Sequence, residues 1–344
     1  MDAWLMDQDE KESHEIRAVL LHLGYNMWCD WFEEGTDLSR VPESVGRPDV
    51  KLRCKDEHWR TVTDRMAERG VNMLVLDVGE GLIYPSHPEL AIEGSWSVSK
   101  LKTEIARLKT KGIETIPKLN FSTTHNGWLK QYRRMVGTPQ YRRIVEDLLK
   151  DVAEVFDRPR FCHIGYDEER ELYAPNFEFV LIRKGQAWER DFLHVVRTCE
   201  SLGMRPWAWS DYTWHHPDFL ERCPKSVVFS NWYYDENNLG YSLERNDSYD
   251  FERLKNFYDI RDAGFDQIPC GTNWVGLMRR IPFIGADDVI GRLVDFCRGN
   301  IPGKHLLGFM MASWEDLGTE KGRDFTLKGI DLFADTFHQA KEEK

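Results

Sequence analysis

The sequence lacks the marks of several common protein classes. No apolar run approaches the roughly 20 residues that cross a bilayer. Positive charge is in deficit, with 46 Lys and Arg against 58 Asp and Glu and a net charge of −12. Phosphate-rich partners would be repelled, so binding to nucleic acid or to a membrane is not expected, and an uncharged or cationic partner fits better. The seven cysteines (Cys29, Cys54, Cys162, Cys199, Cys223, Cys270 and Cys297) are odd in number, widely spaced and free of any Cys-x-x-Cys pair. Neither a zinc ribbon nor a disulfide framework is suggested. There is no His-Glu-x-x-His, no glycine-rich dinucleotide or phosphate loop and no Gly-x-Ser-x-Gly elbow. The doublet His215–His216 precedes Pro217 and reads as a solvated turn rather than a ligand pair. No metal and no cofactor is therefore expected. The first fifteen residues are polar and acidic, without a leader pattern. The chain is either cytoplasmic or, if a leader has been removed, periplasmic or secreted. The oligomeric state is left open.

What the chain does have is tryptophan and a regular alternation of short apolar runs with helical stripes. There are 13 Trp and 12 Tyr in 344 residues. Strands are expected over 18–28, 71–78, 113–121, 160–166, 204–210, 227–233, 267–273 and 306–313. Helices should follow each of them. The third opens with Thr138 as cap and Pro139 in the first turn, and several others stop at a glycine such as Gly112 or Gly203. The fifth should begin near Pro217 and the seventh span 286–298. Eight units without a linker predict one domain of the α/β class, a (β/α)8 TIM barrel over 17–344 after a polar extension, 1–16. An open doubly wound sheet is the competing arrangement, disfavoured by the missing dinucleotide loop.

A barrel builds its site where the strands end. Polar and aromatic residues gather there: Asp77 and Glu80; Asn120 and His125; Asp167, Glu168 and Glu169; Trp209, Asp211 and Trp214; Asn231 and Trp232; Asn273 and Trp274; Trp314, Glu315 and Asp316. Carboxylates attracted to helix N-termini account for Asp316 and Glu169 but not for the tryptophans. Aromatic faces stack on sugar rings, although each tryptophan taken singly is as readily explained by packing.

The densest local signal is Phe161-Cys162-His163-Ile164-Gly165-Tyr166-Asp167-Glu168. It resembles the His-x-Gly-Gly-Asp-Glu signature of glycoside hydrolase family 20, the β-N-acetylhexosaminidases, with Tyr166 in place of the second glycine. Three further segments resemble that family in the same order: Ile116-Pro117-Lys118-Leu119-Asn120 with His125 after it, Trp209-Ser210-Asp211, and the run from Gly308 to Trp314-Glu315. Thr272-Asn273-Trp274 stands where the family carries a Tyr-x-Asp type element.

The resemblance implies an exo-acting, retaining glycosidase on a terminal β-linked hexosamine or related sugar. Glu168 would be the general acid/base and Asp167 the carboxylate that orients the substrate's acetamido group. That is the substrate-assisted exception to the two-carboxylate rule. Asn120, His125, His163, Trp209, Asp211, Trp232, Trp274, Trp314 and Glu315 would bind the sugar, although His163 reads equally well as a core histidine. Three other readings stay open: a glycosidase on non-acetamido sugars with a carboxylate nucleophile, a non-catalytic carbohydrate-binding barrel, and a metal-assisted hydrolase.

Overall fold

The computed structural model describes residues 15–31, 37, 47–234, 249–273 and 289–342. Eight parallel strands form one sheet: β1 (Ile16–His22), β2 (Met73–Asp77), β3 (Glu114–Lys118), β4 (Phe161–His163), β5 (Arg205–Trp209), β6 (Val228–Ser230), β7 (Cys270–Gly271) and β8 (Gly308–Ala312). Their order is β6-β5-β4-β3-β2-β1-β8-β7. Parallel bridges between Phe229 and Gln267 and between Trp232 and Cys270 join the two ends, so the sheet closes into a (β/α)8 barrel. The surrounding helices are α1 (Asp56–Glu68), α2 (Val98–Thr110), α3 (Pro139–Val155), α4 (Gln186–Ser201), α5 (Asp211–His215), α6 (Tyr249–Asp262), α7 (Val289–Asn300) and α8 (Glu320–Glu342).

The strands are mostly apolar because both of their faces are covered, with charged or polar residues confined largely to their ends. Ala18 and Leu20 of β1 face the barrel interior, while Val19 and Leu21 pack outward against the helices. The interior is aromatic on one side, with Phe161, Trp207 and Trp209 all buried. Start and stop signals act as their chemistry predicts. The Thr138 hydroxyl accepts from the Tyr141 amide at 3.2 Å, and Gly112 and Gly203 end their helices at φ +79° and +81°. Cys162 and Cys270, expected in strands, are fully buried there.

Several boundaries differ from the sequence expectation. Strand one ends at His22 rather than at residue 28, and the chain enters a 3-10 turn at Asn26–Trp31. Strand four stops at His163 rather than at residue 166: the backbone turns left-handed at Gly165 and Tyr166, and the Tyr166 amide bonds the Asn120 side chain. The helix after strand five begins at Asp211, six residues before Pro217, which opens a separate 3-10 turn at Pro217–Glu221. The connections after the strands also contain 3-10 turns, such as Asn26–Trp31 and Gly127–Met135, that were not expected from the sequence.

Candidate active site

The site is organised by the segment that follows β4. Gly165, Tyr166 and Glu168 all have left-handed backbones, at φ +75°, +73° and +56°. The cause lies on the neighbouring strand. Asn120 Oδ1 accepts from the amides of Tyr166 (3.3 Å) and Ser122 (3.1 Å), and its Nδ2 donates to Asp167 Oδ1 at 2.7 Å. A Cβ on residue 165 would lie 2.0 Å from that Oδ1, so only glycine admits the Asn120 amide. Tyr166 bears a side chain in a conformation that costs about 1–2 kcal/mol. Its buried ring packs edge-on against Trp188 and Phe192 of α4, with the Arg183 guanidinium over its face at 5.5 Å. Packing of this kind offsets the strain and ties the segment to α4. Gly165→Ala is expected to lower the melting temperature by several degrees, and to displace Asn120 and with it Asp167. Thermal unfolding read beside activity would check both effects.

The left-handed turn breaks the pleat, so two adjacent carboxylates reach the same imidazole. His125 Nε2 lies 3.5 Å from Asp167 Oδ2 and 3.6 Å from Glu168 Oε2. The Asp167 side chain is 10% exposed and that of Glu168 29%, which places Glu168 nearer the mouth. A third carboxylate closes the group. Asp211 Oδ1 accepts from the Glu168 amide at 3.1 Å, and its Oδ2 accepts from Trp232 Nε1 at 2.9 Å. Burial, followed by the charges of Asp167 and Asp211, pushes Glu168 up to about 8. Burial and Asp167 push Asp211 up to about 7. Burial lowers His125, partly opposed by Asp167, so its imidazole is neutral near pH 7. A carboxyl raised in this way beside a second carboxylate is the kind of arrangement that general-acid chemistry uses.

An aromatic arc runs away from these carboxylates. Trp232 lies 4.9 Å from Tyr234 and 5.0 Å from Trp214. The Tyr234 hydroxyl accepts from Trp314 Nε1 at 3.2 Å, and Trp314 lies 6.1 Å from Trp209. Trp209, Trp232 and Trp314 are thus brought together. Trp274 lies outside the described residues. The Glu315 backbone carbonyl accepts from the Tyr25 hydroxyl beside this arc. Tyr234, not among the sequence candidates, links the two halves of the arc. The run Trp232-Tyr233-Tyr234 was its only signal.

Beneath the arc lies a polar layer; Asp77 and His163 were expected singly from the sequence, but not their grouping with His22 and Lys118. His22, Asp77, Lys118 and His163 stand in direct register across β1 to β4. Lys118 Nζ donates to Asp77 Oδ2, and both side chains are almost fully buried. His163 is completely buried between Trp207 and Trp209, with its Nδ1 accepting from the Gly165 amide at 3.2 Å. It therefore lies in the floor beneath Asp167 rather than at the rim. Burial, then Lys118, holds both His22 and His163 well below the usual histidine range. The available sequence signal was a lysine at an inward strand position within an otherwise apolar run.

Glu169, next to the candidate acid, points into protein instead. Arg183 donates to it from Nε (2.6 Å) and Nη2 (2.5 Å), and the Thr123 amide adds a bond at 3.1 Å. The pair fastens the neck of the loop that leaves the site. Breaking a buried pair from one side costs about 3–5 kcal/mol. Glu169→Met is accordingly expected to lower the melting temperature by several degrees, a loss that calorimetry would detect.

Among the described residues no group of three His, Cys, Asp or Glu is arranged to hold a metal ion, and no helix is long and apolar enough to cross a membrane. No protein-family model matches the sequence, and no curated protein sequence does. Solved structures do share the fold. The family 20 β-N-acetylhexosaminidase of Streptomyces coelicolor A3(2) aligns with a TM-score of 0.59 at 15% identity, over 92% of this chain and 63% of that one. A mutant β-hexosaminidase of Streptomyces plicatus in complex with its product GlcNAc gives 0.58 at 14%, over 92% and 63%. A family 20 catalytic module of the pneumococcal exo-β-D-N-acetylglucosaminidase gives 0.56 at 14%, over 94% and 84%. The β-N-acetylhexosaminidase of Bacteroides fragilis is similar at 0.57, over 92% and 65%. The chain thus spans less than two thirds of the length of several of these structures. At such identities the likeness is one of fold.

Proposed function

We propose that the protein is a glycoside hydrolase of the β-N-acetylhexosaminidase kind, exo-acting and retaining on a terminal β-linked hexosamine or related sugar. The observation that carries this reading is the convergence of Asp167 and Glu168 on His125, with Glu168 raised to about 8, at one end of an aromatic arc. The fold it shares with family 20 enzymes supports it. Glu168 gives its proton to the glycosidic oxygen as the C1–O bond breaks. The substrate's acetamido oxygen bonds to C1 from the opposite face, and Asp167 accepts a hydrogen bond from the acetamido N–H. In the second half, water adds to C1 as Glu168 takes its proton, and the acetamido group is released intact. Trp314, Tyr234 and Trp232 supply faces for the sugar ring, with buried Trp209 packed behind Trp314, and Asn120 and Asp211 hold the carboxylates in place.

A panel of 4-nitrophenyl β-glycosides tests the proposal. N-acetylglucosaminide or N-acetylgalactosaminide should be hydrolysed, and the glucoside and galactoside far more slowly. Because the acid must carry its proton, kcat/KM should fall about tenfold per pH unit above a break near pH 8. Absence of turnover across the panel would remove the proposal.

A further inference from the structure

Trp314 stands at the exit of β8 with a left-handed backbone, at φ +56°. A bulky residue is disfavoured there, and such strain persists only where its surroundings over-determine it. The ladder with β1 ends at Ala312, opposite Leu20, so strand pairing does not fix the turn. Trp314 is half-buried and keeps its place in the aromatic arc, 6.1 Å from Trp209, with its Nε1 donating to the Tyr234 hydroxyl at 3.2 Å. Downstream, Leu317 is pinned by the Lys55 amide at 3.1 Å and by a parallel bridge to Cys54. Between these anchors the chain is held by a residue from near the other end of the sequence. The Tyr25 hydroxyl donates to the backbone carbonyl of Glu315, the residue after Trp314.

We propose that Tyr25 is a positioning residue for the sugar: its hydroxyl holds the strained turn at Trp314 and Glu315, so that the Trp314 indole is presented to the substrate's ring. The inference rests on the glycosidase reading and adds a residue that governs binding rather than proton transfer. Tyr25 is itself firmly placed. Its amide and that of Asn26 both donate to Glu80 Oε1, at 2.7 and 2.9 Å. A Cβ on residue 24 would lie 2.6 Å from Glu80 Oε2, so glycine at that position admits the buried carboxylate. The Tyr25 ring lies 4.9 Å from His22 and carries the Arg53 guanidinium over its face at 4.8 Å. His22 in turn lies 5.4 Å from Trp314. Tyr25 thus reaches the tryptophan by two routes, its ring through His22 and its hydroxyl through the Glu315 carbonyl. At 2% exposure it offers no surface of its own to a ligand, so its effect must pass through Trp314.

Tyr25→Phe tests this, because it keeps the ring and removes only the hydroxyl, a loss too small to unfold the chain. On whichever glycoside the protein hydrolyses, KM should rise about three- to tenfold, the scale of one aromatic contact, while kcat stays within about twofold. The alkaline break should not move, since burial, Asp167, Asp211, Arg253 and Tyr173 set the Glu168 carboxyl and none of them is altered. The decisive measurement is a double-mutant cycle with Trp314→Ala. If Tyr25 acts through Trp314, adding Tyr25→Phe to Trp314→Ala should change KM by less than about twofold. An equal rise in KM in both backgrounds, an unchanged KM in Tyr25→Phe, or a loss confined to kcat overturns the inference and leaves the glycosidase reading standing. If no glycoside is hydrolysed, that reading fails, and the same cycle in the Kd of N-acetylglucosamine, measured by calorimetry, decides this one. Coupling between the two positions then supports it, and binding without coupling, or no binding, overturns it.

Discussion

Glu168→Gln should reduce kcat/KM by about 10²- to 10⁴-fold on an N-acetylhexosaminide whose leaving group is an unactivated alcohol. The loss should shrink for an aryl leaving group that departs without a proton, because the variant lacks only the acid. The same substitution should raise thermal stability at alkaline pH. The Glu168 carboxyl has an ordinary value of 4.5 and is raised to about 8 in the folded protein. In the unfolded chain it ionises near 4.5, so between these values folding must take up a proton. The contribution is complete below about 4.5 and is lost as pH rises through about 8. Above that, the folded state holds a charge beside Asp167 and Asp211. Glutamine carries none, so wild type and variant should melt together near pH 4.5, with the variant a few degrees higher at pH 8.5. A variant of undiminished activity, or one less stable than wild type at pH 8.5, would count against Glu168 as a buried acid.

Asp167→Asn should lower kcat on the N-acetylglucosaminide by roughly 10²- to 10³-fold, the scale of losing one well-placed hydrogen-bond partner at a reacting group. The expectation is stronger than for loss of charge alone. Asn120 Nδ2 donates to Asp167 Oδ1 at 2.7 Å. An amide at position 167 must turn its oxygen toward that donor, which leaves its NH2 facing the acetamido N–H, donor against donor. Asp167 is also one cause of the raised Glu168 carboxyl, after burial. The alkaline break in the pH profile of the variant should therefore move below that of the wild type. Kinetics of the variant across pH 5–9 would read both effects. An unchanged break with full activity would show that Asp167 neither touches substrate nor senses Glu168.

How much was legible in the residues differs between fold and site. Strands two, three, five and eight were placed by apolar runs whose centres stand where expected, because a strand covered on both faces is mostly apolar; strand one was expected over 18–28 and forms over Ile16–His22, its apolar continuation entering the 3-10 turn Asn26–Trp31. Strand four was drawn too long. Its continuation, Ile164-Gly165-Tyr166, is as apolar as the strand, and only the Asn120 amide from strand three diverts the backbone. The Asp167–Glu168 pair was found through its resemblance to a known motif. The Lys118–Asp77 pair was not, since neither residue signals in its own neighbourhood that the other lies opposite.

The sequence alone determined the alternation of eight strands and helices and the adjacency of the two carboxylates, and it set the expectation of a site where the strands end. All of these are written in local patterns of two to four residues. Only the tertiary structure decided that both acids turn to the same histidine, that Glu169 is spent on Arg183 while Glu168 stays protonated, and that four polar side chains share one layer beneath the site. Most of those outcomes depend on distance and burial between residues 40 or more apart, and the Glu169–Arg183 pair on residues 14 apart, so no local pattern encodes them.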